Sequence, residues 1–169
     1  RQLPNGKAGT KWGNVIRNIV GRPMGDMYML KVIGTYNSED DLKKYPKYGT
    51  ESIGDLIYEN TNGDNTINTD DYQYVGNYQP DFTYGWTNRL GYKNFDLAIT
   101  IDGQAGGKVI YAAARAYSLN LWDNVLAESG LGRWHSAEQP GNGTSHKAGT
   151  NNLGSNIQPS TRYLYDADF

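Results

Sequence analysis

Residues 82–102 alternate apolar and polar side chains in two segments separated only by Lys93 and Asn94. Because successive side chains of a β-strand point to opposite faces, a period of two is typical of a strand with two unlike surroundings. The apolar face comprises Phe82, Tyr84, Trp86, Leu90 and Tyr92 in the first segment and Phe95, Leu97, Ile99 and Ile101 in the second. The stretch therefore predicts a β-hairpin with one apolar and one polar face, interrupted on the apolar face by Asn88.

The length of the hairpin leaves two fold classes open. Each strand has roughly 10 residues, which at a rise of about 3.3 Å per residue and a tilt of about 45° span ~24 Å. This length matches the apolar band of a transmembrane β-barrel, in which lipid-facing and lumen-facing residues alternate. A soluble β-sandwich with one buried and one wet face produces the same pattern.

The composition of the chain favours long aqueous loops over a dense interior. Its 169 residues include 21 Gly and 14 Tyr, and the mean hydropathy is -0.72. A net charge of -2 argues against nucleic acid as a partner, and the absence of Cys excludes disulfides. No apolar run reaches the ~20 residues of a transmembrane helix, so a membrane role would have to come from strands.

Outside the hairpin the sequence predicts few regular elements. Ser38 is a candidate helix N-cap, with Asp41 in the place that a capping box gives to Glu or Gln, and Pro46 should end the helix. Apolar residues at helical spacing, with frequent Ala, predict a second helix near 109–128. The other expected elements are a strand over 24–36, a flexible exit over 103–107 and a long polar loop over 130–160.

Residues 60–71, NTNGDNTINTDD, resemble a twelve-residue calcium loop, in which oxygen atoms surround a cation on a tightly curled backbone. The predicted metal ligands are Asn60, Asn62 and Asp64 at positions one, three and five, the carbonyl of Thr66 at seven, Asn68 at nine and Asp71 at twelve. Ile67, at position eight, is expected to anchor the loop in its surroundings.

Three departures from the usual calcium loop weaken the predicted binding. Position one is Asn60 rather than Asp, position six is Asn65 rather than Gly, and position twelve is Asp71 rather than the longer Glu. Because only Asp64 and Asp71 supply charge at ligand positions, we expect a Kd for Ca²⁺ on the order of 10⁻⁴–10⁻³ M. The alternative is a turn that Asx hydrogen bonds stabilise without an ion.

The sequence shows no constellation that would support catalysis. His135 and His146 lie in the polar loop without an apolar frame, so we expect both to be solvated. Residues 103–109, GQAGGKV, lack the spacing and the Ser or Thr of a phosphate-binding loop. Asp96 and Asp102 would lie about 20 Å apart along one strand, too far for a glycosidase carboxylate pair. We therefore predict that the chain is not an enzyme.

A series of short motifs follows one another along nearly the whole chain. They are 21–28 (GRPMGDMY), 54–55 before the calcium-type loop, 76–77, 80–85 and 93–97, followed by 133–134, 138–140 and 159–163. In this order the motifs resemble the SusC/RagA family, whose members are TonB-dependent outer-membrane transporters of Bacteroidetes.

The resemblance implies a plugged barrel of about 22 strands. The implied fold class is β, with this chain a fragment of the transmembrane barrel near its C-terminal part. Its implied parts are an extracellular loop region over 1–81, the transmembrane hairpin over 82–102, a long extracellular loop over 103–160 and the start of the next barrel strand over 161–169. No signal-peptide pattern is visible at Arg1, which polar, turn-rich sequence follows, and we expect the chain to be an excerpt of a longer polypeptide.

The resemblance also implies import of oligosaccharides or peptides across the bacterial outer membrane. The implied partners are a SusD-like surface lipoprotein, TonB through an upstream segment outside this chain, the substrate and outer-membrane lipid. Trp122, Trp134 and Tyr78 have ring faces that suit sugar stacking, and packing is the alternative role for each. The alternative function is that of a soluble, calcium-stabilised, β-rich module that binds glycan or protein on a cell surface.

Overall fold

The computed structural model describes residues 15–114, 127–149 and 153–169, in which strands dominate. The strands are β1 (Ile16–Arg17), β2 (Asp26–Met29), β3 (Val32–Thr35), β4 (Leu56–Tyr58), β5 (Gln73–Asn77), β6 (Phe82–Tyr92), β7 (Phe95–Ala105), β8 (Lys108–Ile110) and β9 (Leu164–Asp166). The helices are α1 (Glu39–Lys44), α2 (Ala127–Leu131) and α3 (Leu153–Asn156), with 3-10 turns at Thr69–Asp71 and Thr161–Tyr163. The predicted β class is confirmed. None of the helices in these ranges has the length and apolar character needed to cross a membrane.

The predicted hairpin is formed by β6 and β7, which pair antiparallel without a break from Phe82 opposite Ala105 to Tyr92 opposite Phe95. The chain reverses at Lys93 and Asn94, and Lys93 has a φ of 54°, in the left-handed region that suits a tight turn. β7 continues past the predicted end of the hairpin, because residues 103–105 pair with 82–84. The prediction of a flexible exit is therefore wrong for residues 103–105.

The predicted strand over 24–36 is divided into β2 and β3, which belong to different sheets. β2 lies between β1 and β5, whereas β3 pairs with β4. Leu30, which lies between β2 and β3, belongs to neither sheet. Its N–H donates to the carbonyl of Pro159 at 3.1 Å, and its carbonyl accepts from Thr161 N at 3.0 Å. A segment distant in sequence therefore divides the strand.

Helix α1 confirms the capping box. Ser38 Oγ accepts from Asp41 N at 3.2 Å, and Asp41 Oδ2 accepts from Ser38 N at 3.1 Å. The helix ends at Lys44, and its C-cap Tyr45 has φ and ψ of -101° and 138°, the extended conformation expected for a residue that precedes Pro46.

The predicted helix near 109–128 is wrong at its beginning. Lys108–Ile110 forms β8, whose β-branched Val109 and Ile110 pair with Tyr165 and Leu164 of β9. The end of the prediction overlaps α2, and residues 115–126 lie outside the described ranges. The predicted strand over 161–169 begins only at Leu164, after the 3-10 turn.

The last residues run along the edge of β7. Phe169 and Gln104 exchange both backbone hydrogen bonds, at 2.9 and 3.2 Å, which is the pattern of an antiparallel pair. Ala167 N also donates to the carbonyl of Gly107 at 3.1 Å. The hairpin thus has β6 on one side of β7 and the C-terminal segment on the other.

The region outside the hairpin contains two clusters of buried apolar residues. The first cluster comprises Val15, Met29, Ala114 and Tyr163. The second comprises Leu30, Leu56, Tyr58 and Ile67. The C-terminal segment contributes Tyr163 to the first cluster, and its residues 159 and 161 form hydrogen bonds with Leu30 of the second. Residues 15–77 and 153–166 therefore pack as one unit. This region has an interior, which its polar composition did not predict.

Candidate functional site

The first half of the calcium-type loop, residues 60–71, is curled by side-chain oxygens at the predicted ligand positions. Asn60 Oδ1 accepts from Gly63 N at 2.5 Å, Asn62 Oδ1 from Asp64 N at 3.0 Å, and Asp64 Oδ1 from Thr66 N at 2.9 Å. These are Asx hydrogen bonds, which hold a polar turn closed. The structure thus brings positions one, three and five onto one exposed turn.

The second half of the loop is organised by Asp71, which is fully buried. Its Oδ1 accepts from Thr61 N and its Oδ2 from Asn68 N, both at 2.9 Å. Asn68 Oδ1 in turn accepts from Asp70 N at 2.7 Å. Positions nine and twelve are therefore joined to each other, and Thr61 N links Asp71 back to the first half.

Two features of this loop match what the sequence predicts for its backbone. Asn65, at position six, has a φ of 62°, the left-handed conformation that Gly usually supplies there. Ile67, which is only 2% exposed, packs with Leu30, Leu56 and Tyr58, and its N–H donates to the carbonyl of Lys47 at 3.0 Å. Ile67 therefore anchors the loop to the interior.

The donor set of the loop is made mainly of neutral oxygens. Across the described ranges, no group of three or more His, Asp or Glu side chains could hold a metal ion. The predicted ligands are the amide oxygens of Asn60, Asn62 and Asn68, the backbone carbonyl of the exposed residue Thr66, and the carboxylates of Asp64 and Asp71. Such hard oxygen ligands suit Ca²⁺ rather than a softer metal.

A groove of about 460 Å³, here called the outer groove, lies near α1. Its lining residues are Ile33, Gly34, Thr35, Asn37, Asp41, Tyr45, Ile57 and 140–143. This volume is within the range of small-molecule sites, and the lining combines apolar side chains with a few amide and carboxylate groups. The groove can therefore accommodate a ligand with both apolar and hydrogen-bonding surface.

One wall of the outer groove belongs to residues 132–149, here called the docked loop. Lys147 N donates to the carbonyl of Gly54 at 2.8 Å, and Lys147 Nζ donates to Ser52 Oγ at 2.6 Å and to the carbonyl of Ile53 at 2.7 Å. Trp134 Nε1 donates to Asn37 Oδ1 at 2.8 Å. These bonds fasten the docked loop to residues 37 and 52–54.

Gly54 shows how close this contact is. It has a φ of 91°, and a Cβ at this position would lie 2.7 Å from Trp134 Cε3. Trp134 therefore packs against the backbone at Gly54. Tyr78 is 49% exposed, and Trp122 lies outside the described residues.

His146 is the residue that sequence reasoning misplaced. The prediction that it is solvated is wrong, because it is 5% exposed, whereas His135 is exposed as predicted. His146 Nδ1 lies 2.6 Å from the carbonyl of Lys147, so Nδ1 carries the proton, and no hydrogen-bond partner of Nε2 is found among the described residues. Burial first, and then the nearby charge of Arg162, lower the pKa of His146 to about 4.

The hairpin leaves its apolar face uncovered within the described part of the chain. Leu97 is 52% exposed, Ile99 40% and Phe95 79%. On the opposite face, Thr87 stands opposite Thr100 and Gly91 opposite Asp96. A wide apolar surface backed by a polar one is the arrangement of a strand pair between lipid and an aqueous lumen.

The chain is similar to two receptors of Formosa agariphila. It is 27% identical to TonB-dependent receptor P26 over 150 residues, which are 89% of this chain and 15% of that protein. It is 29% identical to TonB-dependent receptor P3 over 96 residues, which are 53% of this chain and 9% of that protein. No protein-family model matches the chain.

These similarities support the coarser part of the sequence-based prediction. They relate the chain to TonB-dependent receptors, which are outer-membrane transport proteins and not enzymes, and the predicted outer-membrane location is confirmed. The chain spans only 15% and 9% of the lengths of the two relatives. The fold, the exposed apolar hairpin and the similarity thus agree on a piece of an outer-membrane barrel.

Proposed function

We propose that this chain is part of a TonB-dependent importer of oligosaccharides or peptides of the SusC/RagA type, working with a SusD-like surface lipoprotein. The observation that carries the proposal is the apolar face of β6 and β7, whose large side chains lie exposed from Phe82 to Ile101. Exposing such an apolar surface to water is unfavourable, whereas contact with lipid removes this free-energy cost. The similarity to two TonB-dependent receptors supports transport as the activity.

In this proposal the parts of the chain have different roles. The turn at Lys93 and Asn94 faces the periplasm, and the packed region over 15–77 and 153–166 lies on the outer side. TonB acts through a segment of the whole protein outside this chain. The outer groove then faces the substrate or the lipoprotein, and its amide groups and Tyr45 suit a hydroxyl-rich or peptide ligand.

A second candidate is a soluble, calcium-stabilised module that binds glycan or protein on the cell surface. Its support is the packed region itself, which has two apolar clusters and hydrogen bonds from Leu30 to Pro159 and Thr161 that do not involve the hairpin. In this alternative, the apolar face of the hairpin is covered by other protein rather than by lipid.

Cell fractionation separates the two candidates. An antibody to residues 55–80 should detect a large, heat-modifiable band that only detergent releases from the outer membrane. A soluble periplasmic protein and a known porin serve as fractionation controls. A small band in the aqueous fraction that stays folded without detergent would contradict the importer and support the surface module.

We also propose that residues 60–71 bind Ca²⁺ weakly through Asn60, Asn62, Asp64, the Thr66 carbonyl, Asn68 and Asp71. The support is the curled loop with Asn65 in the left-handed conformation and Ile67 as its anchor. Adding Ca²⁺ at about 10⁻³ M should raise the Tm, because an ion that binds only the folded state stabilises it.

The calcium test compares a variant that lacks predicted ligands with a control that lacks a carboxylate outside the predicted ligand set. Asn60→Ala with Asp64→Ala removes two predicted ligands and should abolish the rise in Tm, whereas Asp70→Ala removes an exposed carboxylate outside the predicted set and should leave it intact. An unchanged Tm of the wild-type protein in Ca²⁺ would show that the loop is a turn held by Asx bonds.

A further inference from the structure

Two Asn–Gly pairs lie in the described loops, Asn62–Gly63 and Asn142–Gly143, and both Asn side chains are exposed. A Gly after Asn leaves its peptide nitrogen unhindered, since Gly has no Cβ and reaches conformations closed to other residues. We propose that Asn142 is a site of spontaneous deamidation, and that the fold makes it react faster than Asn62. This modification concerns the docked loop and does not depend on the proposed transport function.

The reaction is an intramolecular acyl transfer without any redox change. The backbone nitrogen of Gly143 gives its proton to solvent and bonds to Cγ of Asn142. The bond from Cγ to Nδ2 then breaks, and ammonia leaves after taking a proton from water. Water opens the resulting succinimide at either carbonyl, giving Asp or isoaspartate at position 142.

The surroundings of Asn142 favour this attack. Its Oδ1 accepts from Thr144 N and from Ser145 N, each at 3.0 Å. Negative charge develops on that oxygen as the tetrahedral intermediate forms, and backbone N–H groups already in place stabilise such charge. Among the described residues, no hydrogen bond occupies the N–H of Gly143.

Asn62 has the same dipeptide, but its surroundings are less favourable to the attack. The N–H of Gly63 donates to Asn60 Oδ1 at 2.5 Å, so the attacking nitrogen must first give up a hydrogen bond. Asn62 Oδ1 accepts from Asp64 N alone, and Asn62 Nδ2 donates to Asp64 Oδ2 at 2.9 Å. A carboxylate beside the reacting group opposes new negative charge. One hydrogen bond more or less, at about 1 kcal/mol, corresponds to a rate ratio of about fivefold.

The two products have different structural consequences. Asp at position 142 keeps the oxygen acceptors for Thr144 and Ser145 and adds a negative charge to the outer groove, of which Asn142 is a lining residue. Isoaspartate lengthens the main chain by one methylene. It therefore displaces the turn in which Asn142 N donates to the carbonyl of Gly132 at 2.8 Å.

The test is timed incubation of the purified, folded protein at mildly alkaline pH, followed by tryptic peptide mapping with mass spectrometry. The peptide 134–147, WHSAEQPGNGTSHK, has Asn142 as its single Asn. We expect its deamidated fraction to grow about fivefold faster than that at Asn62. In denaturant the two rates should approach each other, because the folded surroundings are lost.

Two outcomes would overturn the proposal. One is an equal or faster reaction at Asn62 in the folded protein; the other is a rate ratio that denaturant leaves unchanged, which would assign the difference to sequence alone. The variant Asn142→Gln should eliminate the mass gain of the 134–147 peptide, and a persistent gain would place the reaction at another residue.

Discussion

His146 is a neutral side chain in a place where a second proton would be costly. It is 5% exposed, and the charged groups around it are Arg162 and Lys147, which oppose protonation, and Asp55, which favours it. Its Nδ1 already donates to the carbonyl of Lys147. A proton on Nε2 would therefore put an additional buried charge near two cations, so the folded protein favours the neutral form of His146.

The lowered pKa of His146 predicts that acid releases the docked loop. The unfolded side chain takes up its proton near pH 6.5 and the folded one only at about 4, so stability is complete above pH 6.5 and falls as the pH drops toward 4. The loss amounts to roughly 3 kcal/mol at 1.4 kcal/mol per pKa unit. Urea unfolding at a series of pH values measures it.

Two variants test whether His146 causes this pH dependence. His146→Gln keeps a polar side chain that does not titrate, and it should flatten the slope of stability between pH 6.5 and about 4. His135→Gln alters the exposed histidine of the same loop and should leave the slope as in the wild type. If the His146→Gln slope equals the wild-type slope, other groups are responsible.

Helix α1 depends on its cap, because it has only six residues and none of them is buried. Hydrogen bonds from Asn37 N, which has the largest effect, and from Ser38 lower the pKa of Asp41, so its carboxylate stays ionised in the capping box. Ser38→Ala should destabilise the helix by about 1 kcal/mol. The N–H of Tyr45, which donates to the carbonyl of Asp41, should then exchange with solvent about fivefold faster.

The control for α1 is Ser38→Asn, since Asn is as good an N-cap as Ser and should keep the exchange rate near the wild-type value. Equal exchange in the Ala and wild-type proteins would show that packing of the chain around Tyr45, rather than the cap, holds the helix.

The elements predicted from sequence are those whose causes are local. The hairpin follows from alternation within 82–102, and α1 follows from Ser38, Asp41 and Pro46, which lie within nine residues of one another. The calcium-type loop was located for the same reason, since its Asx bonds join residues two or three apart. Interactions between residues close in sequence determine these features, so they do not depend on distant parts of the chain.

The features that sequence reasoning missed are set by distant residues. The break at Leu30 comes from Pro159 and Thr161, and β8 is a strand because β9 lies beside it. His146 is buried in a region that also contains the charged groups of Arg162 and Asp55, neither of which is close to it in sequence. A single sequence does not show which distant segments meet, so burial and sheet partners stayed unpredicted.

The two faces of the hairpin give a prediction for the whole molecule in lipid. Ile99 lies mid-strand on the apolar face, opposite Asn88, and Thr100 is its neighbour on the polar face, opposite Thr87. Ile99→Arg should destabilise the protein in lipid vesicles by about 2–4 kcal/mol, the cost of Arg near the bilayer midplane. Thr100→Arg, the matched control, should cost much less. Urea unfolding in vesicles measures both, and equal losses would contradict a lipid-facing Ile99.

The amide of Asn156 also determines when this molecule can finish folding. It accepts from Leu56 N at 3.0 Å and donates to Asp55 Oδ1 at 2.9 Å, across 100 and 101 residues of chain. Closing a loop of that length carries an entropic cost before any contact compensates for it, whereas the hairpin closes across two residues. Residues 55 and 56 therefore gain these two hydrogen bonds only when the segment around Asn156 has folded back onto them. The hairpin can therefore close early, whereas the packed region is complete only when the distant segment around Asn156 reaches it.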